Sequence, residues 1–144
     1  KEFKTVTPMG VVISIAEMVQ NPAIAIEQVL EVFCAMVGQS LEGAQVSVFR
    51  ITAGQPEFVS IASEFQKKVA AKLSIDKKVF LEKQGTRACL GVQLVSKDGT
   101  VLGGVLAETH VDRADALNAH SSYIVAASVA VRGCLLDTNI KQVA

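Results

Sequence analysis

The sequence predicts an α+β domain: a central, mainly antiparallel sheet, helices from both ends of the chain packed on one face, and a short helix or lid on the other. Three observations predict it. Arg87 to Glu108, RACLGVQLVSKDGTVLGGVLAE, reads as a long hairpin that is apolar on both faces, so it must lie centrally in a sheet covered on two sides. Both ends of the chain read as helices with few charges. The links between strand-like runs are too short for parallel crossovers, so antiparallel pairs should dominate.

Thr7-Pro8 is a helix start, with Thr7 able to cap and Pro8 at the first helical position. Val11, Val12, Ile15, Met18 and Val19 follow at helical spacing. Asn21-Pro22 should end that helix and open a second by the same device. In the second helix Ile26, Val29, Leu30, Phe33 and Val37 form one stripe. Gly43 suits the left-handed position after its last turn.

Ala44 to Ile51 alternates as a strand. Gly54-Gln55-Pro56 turns the chain, and Glu57 to Ala62 is expected to lie beside it. Ser63 with Gln66 forms a capping box for a short helix carrying Phe65, Val69 and Leu73 on one side. The helix should fray at Ser74 and Asp76. Lys77 to Glu82 is a short β-like piece, with Val79 to Leu81 expected to help cover the second face.

In the hairpin, Leu90, Val92 and Leu94 alternate with Cys89, Gly91, Gln93 and Val95, and Val101 to Ala107 alternates likewise. Ser96 to Thr100 between them suits a type I turn closed by Gly99 at positive φ. A single long helix should then close the chain, capped by Asp112, with Asp115 in its first turn. Leu117, His120, Ile124, Ala127, Val131 and Cys134 form its packed stripe. Ala119, Tyr123, Ala126, Ala130 and Gly133 give it a second face of mostly small residues. With Val12, Ile15 and Val19 of the first helix, these predict contact with a second copy or with other domains of a parent protein, since small side chains let helix axes approach closely.

Composition bounds the function. At 144 residues one domain is expected, burying roughly 70% of its unfolded surface. Half of the residues are hydrophobic, tryptophan is absent, and acids and bases balance at 14 each, so no global field attracts nucleic acid or membrane. The longest uncharged run, Ala116 to Val131, falls short of the ~20 apolar residues of a membrane span. Cys34, Cys89 and Cys134 lie in apolar runs without metal-ligand spacing, which reads as reduced thiols in a cytoplasmic protein. The start at Lys1 reads as a fragment of a larger protein.

The order of these elements resembles a GAF domain, a small sensory module of regulatory proteins. The resemblance rests on Val29 to Ile51, where a helix runs through a glycine into a valine-rich strand, on the hairpin with its Asp98-Gly99 turn and Leu102-Gly103-Gly104 re-entry, and on the closing helix. Together these cover roughly two-thirds of the chain. Roadblock and longin-type domains share a related plan. The resemblance implies a regulatory or scaffolding domain, and GAF-like domains commonly pair through terminal helices. The segment from Ser63 to Gly85, where such domains carry a lid over a ligand, is short here. The asparagine-lysine-phenylalanine-aspartate-glutamate signature of cyclic-nucleotide binders is absent, as is a Cys-His dipeptide of the bilin-attaching type.

Chemistry has few candidates. His110, Asp112, Asp115 and His120 form a His/carboxylate cluster, but capping and packing explain them as well as catalysis or metal binding does. Arg87 should share a face with Cys89, the arrangement a reactive thiolate needs, although a buried small hydrophobe is the commoner role. Lys67, Lys68, Lys72, Lys77, Lys78, Lys83 and Arg87 are half of all basic residues; they read as a solvated face or as the flank of an anionic ligand. A ligand, if bound, is expected between the sheet and a lid of Phe65, Val69 and Phe80, near Cys89, Lys77, Lys78 and Arg87. The expected function is a non-catalytic regulatory or interaction domain without cofactor or metal. A small-molecule-binding regulatory domain ranks second and an enzyme third.

Overall fold

A computed structural model describes residues 8–73 and 79–136. In chain order the elements are α1 (Pro8–Gln20), α2 (Ile26–Ser40), β1 (Gln45–Thr52), β2 (Gln55–Phe58), α3 (Glu64–Leu73), β3 (Val79–Gln84), β4 (Arg87–Val95), β5 (Val101–His110), α4 (Ala114–Ala119) and α5 (Ser121–Val131), with 3₁₀ turns at Val111–Arg113 and Arg132–Leu136. The strands form one antiparallel sheet in the order β2-β1-β5-β4-β3. β4 and β5, the two-faced apolar hairpin, sit centrally and are buried on both sides.

Alternation assigns the two cores. Val46, Val48, Leu90, Val92, Leu94, Val105 and Ala107 point to one face, where they meet Val11 and Ile15 of α1, Phe33 and Val37 of α2, and Ile124 and Ala127 of α5. Phe49, Cys89 and Leu106 point to the other and meet Val69, Ala70 and Leu73 of α3. Gly99 closes the hairpin at φ +88, with Gly99 N donating to Ser96 O at 3.0 Å and Ser96 N to Thr100 O at 2.8 Å.

Several local expectations are corrected. β3 is an edge strand of the sheet, not a cover over it, because the tight turn at Gly85-Thr86 folds Gln84 back onto Arg87. β2 runs from Gln55 to Phe58 and stops before Ala62: Ser60 Oγ accepts from Val48 N at 2.8 Å, so a side chain ends the ladder. Asn21-Pro22 does not open α2. Asn21 Oδ1 accepts from Ala23 N at 3.0 Å in a local turn, and α2 starts at Ile26 without a side-chain cap.

At the end of α2, Gly43 is left-handed at φ +87, but so is Glu42 before it, at φ +60. Gly43 N donates to Gly38 O and Glu42 N to Gln39 O, the paired bonds of a Schellman motif in which the position usually given to glycine holds a glutamate.

The closing helix is broken. Its two halves, extended by the flanking 3₁₀ turns, bend by 70° across His120. His120 caps α4 and is exposed, where the sequence placed it on a packed stripe. Asn118, His120, Ser121 and Ser122 offer the backbone side-chain partners, which weakens a helix at that point, and His120 Nδ1 lies 2.8 Å from Ala116 O. The start is also different: His110 Nδ1 accepts from Asp112 N at 3.1 Å, so the histidine caps and Asp112 is capped. No single described helix is long and apolar enough to cross a membrane.

Candidate functional site

The α3 face gathers most of the residues expected around a ligand. Ser63 and Gln66 form the capping box: Gln66 N donates to Ser63 Oγ at 3.1 Å and Ser63 N to Gln66 Oε1 at 3.0 Å. Gln66 is nevertheless fully buried, and its Nε2 donates to Gln45 O of β1 at 2.8 Å. The capping residue thus also pins α3 to the sheet. At the other end of α3, Gln93 Nε2 donates to Leu73 O at 2.7 Å.

Between these two anchors the helix packs closely. Val69 and Cys89 are fully buried in one cluster, with Phe65 and Phe80 packed partly buried against it. A Cβ at Gly91 would run into Leu73 and Leu106, so the missing side chain is what lets Leu73 reach the sheet. Phe80 comes from the sheet itself, as β3, and not from a lid. Phe65, Val69, Phe80 and Cys89 are therefore brought together, as packed core.

Polar groups line one end of this face. Glu108 is buried; its Oε2 accepts from Arg87 Nε at 2.8 Å and its Oε1 from Ser63 Oγ. Cys89 lies between Glu108 and Glu82 in the strand register. Burial first, then Glu108 and Glu82, raise the Cys89 thiol far above its ordinary value, so Arg87 serves the glutamate and does not activate the cysteine. Cys34 is likewise pushed up to about 11 by burial, against the lowering effect of a hydrogen bond from Ser60.

Among the described residues, the basic segment does not form one cationic field. Lys72 pairs with Glu82 and lies 5.7 Å from the Phe80 ring centroid, Lys67 pairs with Glu64 at 3.2 Å, and Arg87 pairs with Glu108. Lys68 and Lys83 are exposed. Lys77 and Lys78 lie outside the described residues.

The histidine and aspartate cluster disperses. His110 Nδ1 is 3.3 Å from Asp112 Oδ2 at the start of the turn, whereas His120 lies at the far end of α4, in a cleft of about 150 Å³ beside Ser40, Glu42 and Arg113. Asp115 is exposed. Among the described residues no three His, Cys, Asp or Glu side chains are grouped to hold a metal.

The terminal-helix face divides. α1 lies against α5 within the chain; Ile15 is fully buried, and Val12, Val19, Tyr123 and Ala130 are half-buried. Tyr123 OH is 2.6 Å from Ser40 Oγ, which ties α5 to α2; burial raises the pKa of its phenol and that hydrogen bond opposes the rise. Ala119, Ala126 and Gly133 remain exposed. Sequence reasoning missed Met9, Ile13 and Val129, which are exposed at 68%, 50% and 47%. It also missed Glu108, whose signal was available as the charge that directly follows the apolar run from Val101 to Ala107 within one strand.

An open antiparallel sheet with both ends of the chain helical on one face and a single helix on the other is the plan of a GAF domain, and the chain has a GAF-like fold. The particular likenesses are to solved structures. The A. aeolicus nlh2 GAF domain in an inactive state is 14% identical, with a TM-score of 0.64, over 89% of this chain and 94% of that one. PelD from Pseudomonas aeruginosa PAO1 is 14% identical with a TM-score of 0.58, over 95% of this chain and about half (52%) of that one. A protein from Rhodococcus sp. RHA1, assigned as a transcriptional regulator, is 9% identical with a TM-score of 0.53, over 90% of this chain and 74% of that one. No protein-family model matches the chain, and no curated protein does.

Proposed function

We propose that this chain is a regulatory or interaction domain, without catalysis of its own, that acts through its terminal helices. The observation that supports this reading most is the filling of the α3 face: Val69, Ala70 and Leu73 are fully buried against Phe49, Cys89 and Leu106. In contrast, α1 and α5 keep Met9, Ile13 and Ala126 exposed beside a helix pair already packed on the sheet. Apolar exposure of this kind favours a second copy of the chain or another domain of a parent protein. Sedimentation at several concentrations tests it, with the wild type expected to dimerise and Ala126→Glu to stay monomeric. A wild type that stays monomeric at high concentration removes the homodimer and leaves docking to other domains.

A second reading, a small-molecule ligand under α3, is favoured by Ser47. Its Oγ is buried on the α3 face and has no hydrogen-bond partner, and a buried hydroxyl left unmatched costs about 1–3 kcal/mol. A ligand group reaching Ser47 would recover that cost. Native mass spectrometry of protein purified from cells decides between the readings: a retained small molecule supports the second, and a bare chain the first.

A further inference from the structure

A second cleft lies on the opposite side of the domain, between the β4–β5 turn and the end of α5. It has a volume of about 550 Å³, within the roughly 300–1,000 Å³ range of small-molecule sites. Its apolar wall is Leu102, Val129, Gly133 and Leu136, and its cations are Lys97 and Arg132.

The wall depends on a defect in the sheet. Leu94 pairs with Gly103 but Val95 pairs with Val101, so Leu102 is the unpaired residue of a β-bulge. Strict alternation would send Leu102 to the α3 face with Gly104 and Leu106. The bulge re-aims it, and it packs with the helix-side core. Two of the large hydrophobic residues that remain exposed, Val129 at 47% and Leu136 at 64%, face the same space. At Gly133 a Cβ would meet nothing within 4 Å.

The charged lining is two cations, Lys97 and Arg132, and one carboxylate, Asp98. Arg132 is anchored by its Nη1, which donates to Val95 O at 3.3 Å, so its remaining N–H groups are held at the cleft. Among the described residues neither Lys97 nor Arg132 is in an ion pair. Asp98 lines the cleft as well, but its carboxylate is turned to its own loop, accepting from Ser96 Oγ and from Thr100 N, which leaves the two cations free to meet an anion.

We propose that this cleft binds a small amphiphile with an acidic head on an apolar chain, of which a medium-chain carboxylate is the simplest form. The chain lies against Leu102, Val129 and Leu136 over Gly133, and the carboxylate meets Arg132 and Lys97. The two parts of the ligand match the two parts of the wall: apolar area is removed from water, and a guanidinium presents paired donors to a carboxylate.

The test is titration of the full chain with decanoate below its micelle concentration, followed by calorimetry and by amide shifts. Saturable binding is expected, with shifts at Leu102, Val129 and Gly133. Decyltrimethylammonium, the same chain with a cationic head, is expected to bind at least about tenfold more weakly. Lys97→Gln with Arg132→Gln should weaken decanoate by about tenfold or more, as loss of charge-assisted hydrogen bonds does. Gly133→Leu places bulk in open space and should abolish binding while the thermal midpoint holds. Absence of saturable binding, equal affinity for the cationic amphiphile, or undiminished binding by Gly133→Leu would each overturn the proposal.

Discussion

Arg87 Nε stands 2.8 Å from Glu108 Oε2 across neighbouring strands, and the two partners are unequally placed. The Glu108 side chain is 6% exposed and that of Arg87 is 42% exposed. Removing the arginine strands a buried carboxylate, whereas Glu108→Gln removes the charge and keeps the shape. Arg87→Met should therefore cost about 2 kcal/mol, discounted from the fully buried case because the arginine is half in solvent. It should cost more than Glu108→Gln, and the double variant should recover part of the loss. Urea denaturation of the four proteins measures this, and equal costs for the two single variants would refute the asymmetry.

Glu42 holds a left-handed conformation in which a Cβ is strained. Its contact with Arg113, at 3.2 Å, is between exposed groups and contributes little. Glu42→Gly should therefore stabilise the domain by about 0.5 kcal/mol, the relief of strain exceeding the added freedom of the unfolded chain. A lower denaturation midpoint in Glu42→Gly would mean that the ion pair matters more than the backbone.

Gly99 and Gly103 separate two reasons for glycine. At Gly99 a Cβ meets nothing within 4 Å but φ is +88, so Gly99→Ala should cost about 1 kcal/mol through backbone strain alone. At Gly103 a Cβ would collide with Phe49 O and would come within 2.8 Å of Arg50 Cα, both backbone atoms of β1, which cannot yield without parting β1 from β5. Gly103→Ala should cost more than about 3 kcal/mol, beyond ordinary overpacking, or prevent folding. The order of the two thermal midpoints checks it.

Asp98 is held down to about 2, first by the hydrogen bond from Ser96 and then by those from Thr100. Its folded value lies below the unfolded one of about 3.9. What the ionised carboxylate adds to the turn is thus complete above about pH 4 and is lost as the pH falls through about 2. The amide shift of Thr100 should titrate with a midpoint near about 2, and Asp98→Asn should remove that titration. A midpoint at the ordinary carboxylate value would show that the turn does not hold the carboxylate.

The sequence alone determined the sheet and its two coverings. Period-two alternation through Val46, Val48 and Phe49 and through Leu90 to Leu106 demanded burial on both faces, and helical spacing in Val11, Ile15, Val29 and Phe33 supplied the cover. The Ser63–Gln66 box and the Gly99 turn were legible because each depends on neighbours within a few residues. Tertiary structure decided the rest. Whether Val79 to Gln84 would lie over the sheet or join it depended on pairing with Arg87 to Val92. The break at His120 depended on α4 and α5 packing in different directions, and the bulge at Leu102 on a register set jointly by two strands. The buried Glu108 acquired its partners, Arg87 and Ser63, from segments 21 and 45 residues away in sequence. No local pattern records such distances, because a charge is admitted to a core only by what the fold brings beside it.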